Sequence, residues 1–169
     1  MTSAIDPTKP VFGNPTTESV RDNFQIAADE ITALQEEFNQ VTTGTPNLKI
    51  GGATTGITYS KQEFKAIKVG RLVVLSVIIR LTSKGSATGD VTLEGMPYAF
   101  MNEADYSAVL NIDGNNFASG MGSLPLNLIV ANGTTVIFQK FAAGVKANLQ
   151  DTDITNTLVM RLSGTYIST

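Results

Sequence analysis

The sequence predicts a mainly β protein: an N-terminal extended arm and a coiled-coil helix, followed by a β-sandwich, jelly-roll-like head, assembled as a homotrimer. Three observations carry this. Apolar residues recur at alternating spacings of four and three, from Val20 through Phe24, Ala27, Ile31, Leu34 and Phe38 to Val41, and the pattern stops at Thr43-Gly44-Thr45-Pro46. Beyond that break the chain turns to Gly, Thr, Val, Ile and Leu, with turn signals roughly every ten residues, as short strands require. Cys and His are both absent, so stability has to come from packing and assembly rather than from disulfides or zinc.

The arm spans residues 1–14. Pro7, Pro10 and Pro15 remove amide donors and hold φ, so no helix propagates through it. Val11 and Phe12 are its large apolar side chains next to the helix. They are read either as a peg for some neighbouring surface or as a hydrophobic staple on the first helical turn. Asn14-Pro15 forms an N-cap and N1 pair, with Thr16 and Thr17 as competing caps, and Glu18 and Asp22 favour the positive end of the helix dipole.

The stalk is expected over residues 15–43, with the helix starting within Pro15–Glu18 and running to about Thr42, and its roughly 25 residues, about 37 Å at 1.5 Å per residue, suit a stalk. Phe24, Ile31 and Phe38 take a positions, and Val20, Ala27, Leu34 and Val41 take d positions, a stripe that only other helices can cover. Bulky Phe at a fits a three-stranded core better than a two-stranded one. The flanking e and g positions, Arg21, Ala28 and Gln35 against Asn23, Glu30 and Glu37, carry no ladder of opposite charges, so the seam or the head must choose the partner. Ile26, at a c position, points outward and needs cover; with Val11 and Phe12 it is assigned to anchoring.

The head is expected over residues 48–169, with strands at Gly56–Tyr59, Phe64–Val69, Arg71–Thr82, Asp90–Leu93, Tyr106–Ile112, Leu124–Ala131, Thr134–Lys140 and Asn156–Ile167. Asn132-Gly133 signals a two-residue hairpin between Leu128-Ile129-Val130 and Val136-Ile137-Phe138. The Arg71–Thr82 strand is apolar on both faces, with Val73, Leu75, Val77, Ile79 and Leu81 on one side and Val74 and Ile78 on the other. One face meets an opposing sheet; a folded-over loop or a neighbouring subunit covers the second. In the last strand Leu158, Met160, Leu162 and Tyr166 alternate with Arg161, Ser163 and Thr165, so one side is buried.

Composition excludes several classes. Twelve Lys and Arg against fifteen Asp and Glu leave a charge of −3, with no global pull towards nucleic acid or anionic lipid. The longest apolar run, Leu72–Ile79, is too short to insert in a membrane as a helix, and the first residues carry no secretory signal, which places synthesis in a cytosol. Without His or Cys, no Ser-His-Asp or Cys-His mechanism is available. Asp113-Gly114-Asn115-Asn116 and Asp151-Thr152-Asp153 miss calcium-loop spacing and read as tight turns. Glu63, Glu94, Glu103 and Asp105 define no positioned acid pair. Gly85-Ser86-Ala87-Thr88-Gly89 lacks the Gly-Lys-[Ser/Thr] of a phosphate loop and reads as a flexible turn. Lys61, Lys65, Lys68 and Arg71 are read as a patch for anionic polysaccharide or as edge protection. No enzyme activity, cofactor or metal is expected.

Two stretches resemble known proteins. Asn14-Pro15-Thr16-Thr17-Glu18-Ser19-Val20-Arg21-Asp22-Asn23-Phe24, with Ala27-Ala28-Asp29-Glu30-Ile31, resembles the N-terminal motif of tail fibres and related virion fibres of tailed bacteriophages. Thr55–Tyr59, the turn Leu81–Asp90 with Gly95-Met96-Pro97-Tyr98, and Leu162–Tyr166 are similar to C-terminal modules of phage fibre proteins. The resemblance implies a homotrimer in the virion, attached to other virion proteins by its N-terminal part and meeting host-surface glycan with its β domain. Long fibres carry repeats between anchor and tip that are absent here, so a capsid-decorating head fibre stays open beside a tail fibre, as does a non-viral trimeric glycan-binding module. Asn115, Asn116, Phe117 and Met121 are the loop residues expected at the host surface, since exposed Asn and aromatic groups suit sugar recognition; Phe117 is equally expected in the core.

Overall fold

The computed structural model describes residue 5 and residues 17–101, 110–118, 127–131, 133–142 and 145–169. The chain divides into two compact units, Met1–Gln40 and Val41–Thr169. The arm with Val11 and Phe12, the cap at Asn14-Pro15, and Met121, Glu103 and Asp105 lie outside the described residues.

In the first unit, helix α1 runs Thr17–Asn39, with Glu18 in its first turn and no basic residue in its last. It ends four residues short of the expected Thr43. Val41, expected at a d position of the seam, instead opens strand β1, Val41–Gly44, which pairs with a later strand through Val41↔Ile67 and Thr43↔Lys65. Val-Thr-Thr is a β-branched run whose χ1 freedom suffers in a helix and suits a pleated surface, so strand pairing wins over a last helical turn. The second compact unit accordingly begins at Val41.

The other strands of the second unit are β2 Asn47–Ile50, β3 Ile57–Val69, β4 Leu72–Lys84, β5 Val91–Glu94, β6 Asn111–Phe117, β7 Asn127–Ala131, β8 Thr135–Ala142, β9 Val145–Asn148 and β10 Ile154–Ile167, with a 3-10 turn at Asp151–Asp153. Every pairing is antiparallel. One sheet has the order β1-β3-β4-β10-β6; the second has β2-β5-β8-β7, with β9 added to β8. The hairpin expected around Asn132-Gly133 is present as β7 and β8, in register Leu128↔Phe138, Ile129↔Ile137 and Val130↔Val136, but the last pair, Ala131↔Thr135, leaves three connecting residues rather than the two expected.

The expected Gly56–Tyr59 and Phe64–Val69 segments are one strand. β3 crosses the polar Ser60–Glu63 stretch because β4 pairs along its whole length, and register shifts at Thr58/Tyr59 and Tyr59/Lys61 absorb the irregularity. Asp113–Asn116, read as a turn, belongs to β6. Asn116 keeps the turn-like conformation locally, with φ 63, while its neighbours are held by the β10 ladder.

A single apolar cluster unites the sheets: Leu48, Ile50, Val91, Leu93, Val136 and Phe138 from one, and Phe64, Val73, Leu75, Val77, Ile79, Leu158, Met160 and Leu162 from the other. That is the core of a β-sandwich. The buried side of β4 holds Val73, Leu75, Val77, Ile79 and Leu81, as its alternation predicts. At one end Tyr166 stacks on Phe100 with centroids 4.2 Å apart and donates its hydroxyl to the Tyr98 carbonyl at 3.0 Å. Elsewhere Lys140 Nζ reaches Asp153 Oδ1 at 2.6 Å, tying β8 to the 3-10 turn, and the same carboxylate accepts the Gln150 amide at 2.8 Å. Gly85, at φ +72, ends β4 where a Cβ would stand 2.1 Å from the Thr55 carbonyl oxygen. The Gly85–Gly89 turn is therefore set by backbone fit.

Candidate functional site

Three surfaces in the described residues carry chemistry that folding of one chain leaves unused. On α1, Phe24, Ile31, Leu34 and Phe38 are exposed at 72%, 56%, 42% and 57%. Burial of an aromatic or aliphatic side chain contributes about 1.5–3 kcal/mol, so four such groups left in water on one repeating stripe form an unsatisfied apolar surface. Val20 and Ala27 of the stripe are half-buried, as is Ile26. Helix termination leaves six of the seven expected seam residues on α1, all but Val41.

The second surface is the outer face of the β1-β3-β4-β10-β6 sheet. Register places Val41, Ile67, Val74 and Thr165 in one row across four strands, and Val69, Leu72 and Ile167 in the next. All six apolar members are exposed, Val74 at 48%. A loop was one expected cover for the second face of β4; among the described residues none shields Val74, which is exposed, whereas Ile78 is half-buried. Of this patch the sequence alone singles out Val74 as an outward sheet residue, and it assigns Val41 to the helical seam. The signal for the rest was the odd-numbered alternation of Ile67 and Val69, which continues the outward side of a strand whose inward side is Phe64 and Ala66.

Further along the same face the rows become polar. Glu63, Ile78, Arg161 and Asp113 share one row, and Lys61, Arg80, Val159 and Asn115 another. Arg161 Nη1 donates to Asp113 Oδ2 at 3.0 Å. Lys61, hydrogen-bonded to Glu63, holds that carboxyl below the ordinary carboxylate range, helped by Lys65 at 3.6 Å. An open groove of about 330 Å³ lies among Glu63, Lys65, Ser76, Ile78 and Arg161. The expected basic cluster is thus split: Lys61 and Lys65 pair with Glu63, Lys68 sits 4.9 Å over the Tyr98 ring, and Arg71 Nε donates to the Ser168 carbonyl at 3.0 Å. Glu94 pairs with Lys49 at 2.6 Å in the other sheet, so it forms no acid pair with Glu63. Among the described residues no group of three His, Cys, Asp or Glu gathers to hold a metal, and no helix is long and apolar enough to cross a membrane.

The third surface surrounds the expected contact residues. Asn115, Asn116 and Phe117 lie on β6, at the edge of the sheet, and not in a loop. Opposite them β10 bulges: Ile154 pairs with Phe117 and Val159 with Asn115, so the segment between has extra residues over Asn116. Asn116 Nδ2 donates to the Thr157 carbonyl at 2.8 Å, and Thr155 Oγ1 donates to the Asn116 carbonyl at 2.5 Å. Asn156 accepts the Lys84 amide at 3.0 Å. Asn115, Asn116, Asn156 and Thr157 are exposed together. Phe117 is half-buried and packs on the core, its ring so close to Gly114 that a Cβ there would lie 2.8 Å from it. Little of Phe117 is left for contact, and Thr155, Asn156 and Thr157 are the neighbours that the sequence reading missed.

Helix α1 thus leaves an apolar stripe exposed, and the antiparallel sandwich leaves an apolar patch exposed on one sheet face. No family model matches the chain, and no curated protein matches it in sequence. Among solved structures it is similar to the Dettilon tailspike protein, with a TM-score of 0.60 and 18% identity over 76% of this chain. At that identity the likeness is one of fold, and it spans 24% of the tailspike's length. The receptor binding protein of Listeria phage PSA aligns over 93% of this chain and 82% of its own, at 18% identity and a TM-score of 0.45.

Proposed function

We propose that this chain is a structural bacteriophage virion protein: a short homotrimeric tail fibre, held to the particle by its N-terminal part and touching the host surface with its β head. The observation that carries the reading is the exposed stripe Phe24, Ile31, Leu34 and Phe38 at coiled-coil spacing, which identical helices in parallel would cover. Fold likeness of the sandwich to part of a phage tailspike, and the resemblance of residues 14–31 to phage fibre N-termini, support the virion role. Val11, Phe12 and Ile26 serve anchoring in this reading. Host contact falls to the polar edge at Asn115 and Asn116, with Met121 nearby in sequence. The role is binding, without covalent chemistry.

Adsorption competition tests it. Purified protein should block attachment of the phage to its host when present in excess. Unimpeded adsorption, together with labelled protein located on the capsid, would favour a head fibre. Release of oligosaccharides from host polysaccharide would replace the binding role with glycan cleavage.

A further inference from the structure

We infer that the outer face of the β1-β3-β4-β10-β6 sheet is a contact face between neighbouring copies of this chain, with Val41, Ile67, Val69, Leu72, Val74 and Ile167 at its apolar end. The inference rests on the reading of α1 as a helix shared among copies, and it adds a second, independent surface to that assembly. Antiparallel sheets that face water on one side carry polar side chains there. Here two adjacent rows carry apolar side chains, with Thr165 as the polar member, and the single chain leaves them exposed. Contiguous exposed apolar surface of this kind marks an interaction site.

Chain continuity selects the occupant. Val41 is the corner of the patch and follows Phe38, the last seam residue on α1, by three residues, a separation that chain geometry caps at about 11 Å. Wherever copies meet at Phe38, covalent continuity therefore keeps the Val41 corner of each patch within that reach of the meeting point, where the apolar surface nearest in chain terms belongs to another copy. Charge agrees with self-association. Beyond the apolar rows Glu63 is paired with Lys61 and Lys65, and Asp113 with Arg161, of the same chain, so much of the charge there is neutralised internally rather than left to repel a second copy. The groove between Glu63, Lys65, Ser76, Ile78 and Arg161 lies where a neighbour's side chain can insert.

Because the chain lacks cysteine, a single introduced thiol reports on one position. Maleimide labelling of Val74→Cys in the full-length protein is compared with Lys146→Cys, an exposed site on β9 of the other sheet. The expected result is labelling at least about tenfold slower at Val74→Cys than at Lys146→Cys, since access then requires local opening, and equal rates after unfolding in guanidinium. Leu72→Cys, on the neighbouring row, repeats the measurement should the first variant fold poorly. Equal rates in a protein that light scattering shows to be multimeric would overturn the sheet-face inference and leave the shared helix standing. A monomeric mass for the unaltered protein would overturn both.

Discussion

Tyr166 shows how one residue sets a pH limit. Burial pushes its phenol from 10.0 up to about 12, with the nearby Tyr98 adding to the rise and the hydrogen bond to the Tyr98 carbonyl partly offsetting it. Burial raises Tyr59 as well. A raised pKa means that the folded state holds the proton more tightly than the unfolded one, so this stabilisation is complete below about pH 10 and is lost as pH climbs through about 12. Tyr166→Phe should cost about 1 kcal/mol at neutral pH through the lost hydrogen bond, and should shrink the fall in Tm between pH 10 and 12. An unchanged alkaline fall would assign it to other groups. Gly85 is a second single-residue constraint. Gly85→Ala puts a methyl against the Thr55 carbonyl at φ +72 and should lower the urea midpoint by an amount equivalent to at least about 2 kcal/mol, with an unchanged m-value. Glycine at this turn was plain in the sequence, but the carbonyl that excludes a side chain lies on the segment before β3, some thirty residues upstream.

At the scale of elements, the ion pair between half-buried Lys140 and buried Asp153 links β8 to the 3-10 turn that leads into β10. Removing the carboxylate leaves the half-buried Lys140 ammonium and the Gln150 amide without that acceptor, so Asp153→Ala should destabilise by about 1–3 kcal/mol, measured by chemical denaturation. A loss below about 0.5 kcal/mol, the range of a surface change, would mean that Lys140 finds water instead. Local signals served well wherever a strand is apolar and alternating: β4, β8 and β10 are close to their expected spans. They failed at Asp113–Asn116, where turn-forming residues sit in a strand because the β10 bulge accommodates Asn116 at positive φ. They failed again at Val41, where pairing with Ile67 outweighs the heptad. In both places the competing partner is remote in sequence.

For the whole molecule, the proposed assembly turns on the exposed apolar stripe of α1. Ile31→Asp would bury charge in the proposed three-fold seam, at a cost on the order of several kcal/mol per assembly. Light scattering should show the trimer weakened or lost; an unchanged mass would mean that the head alone holds the copies together. By itself the sequence determined the stripe, the inward side of β4, the hairpin at residues 128–138 and the class of the head, because periodicity and turn chemistry are local. Only the tertiary structure decided where the helix stops, that Asn115 and Asn116 meet Thr155, Asn156 and Thr157 across a bulge, and that Val41, Ile67 and Val74 align in one exposed row. Cross-strand register depends on which strands become neighbours, and that follows from burial of the core as a whole rather than from any one segment.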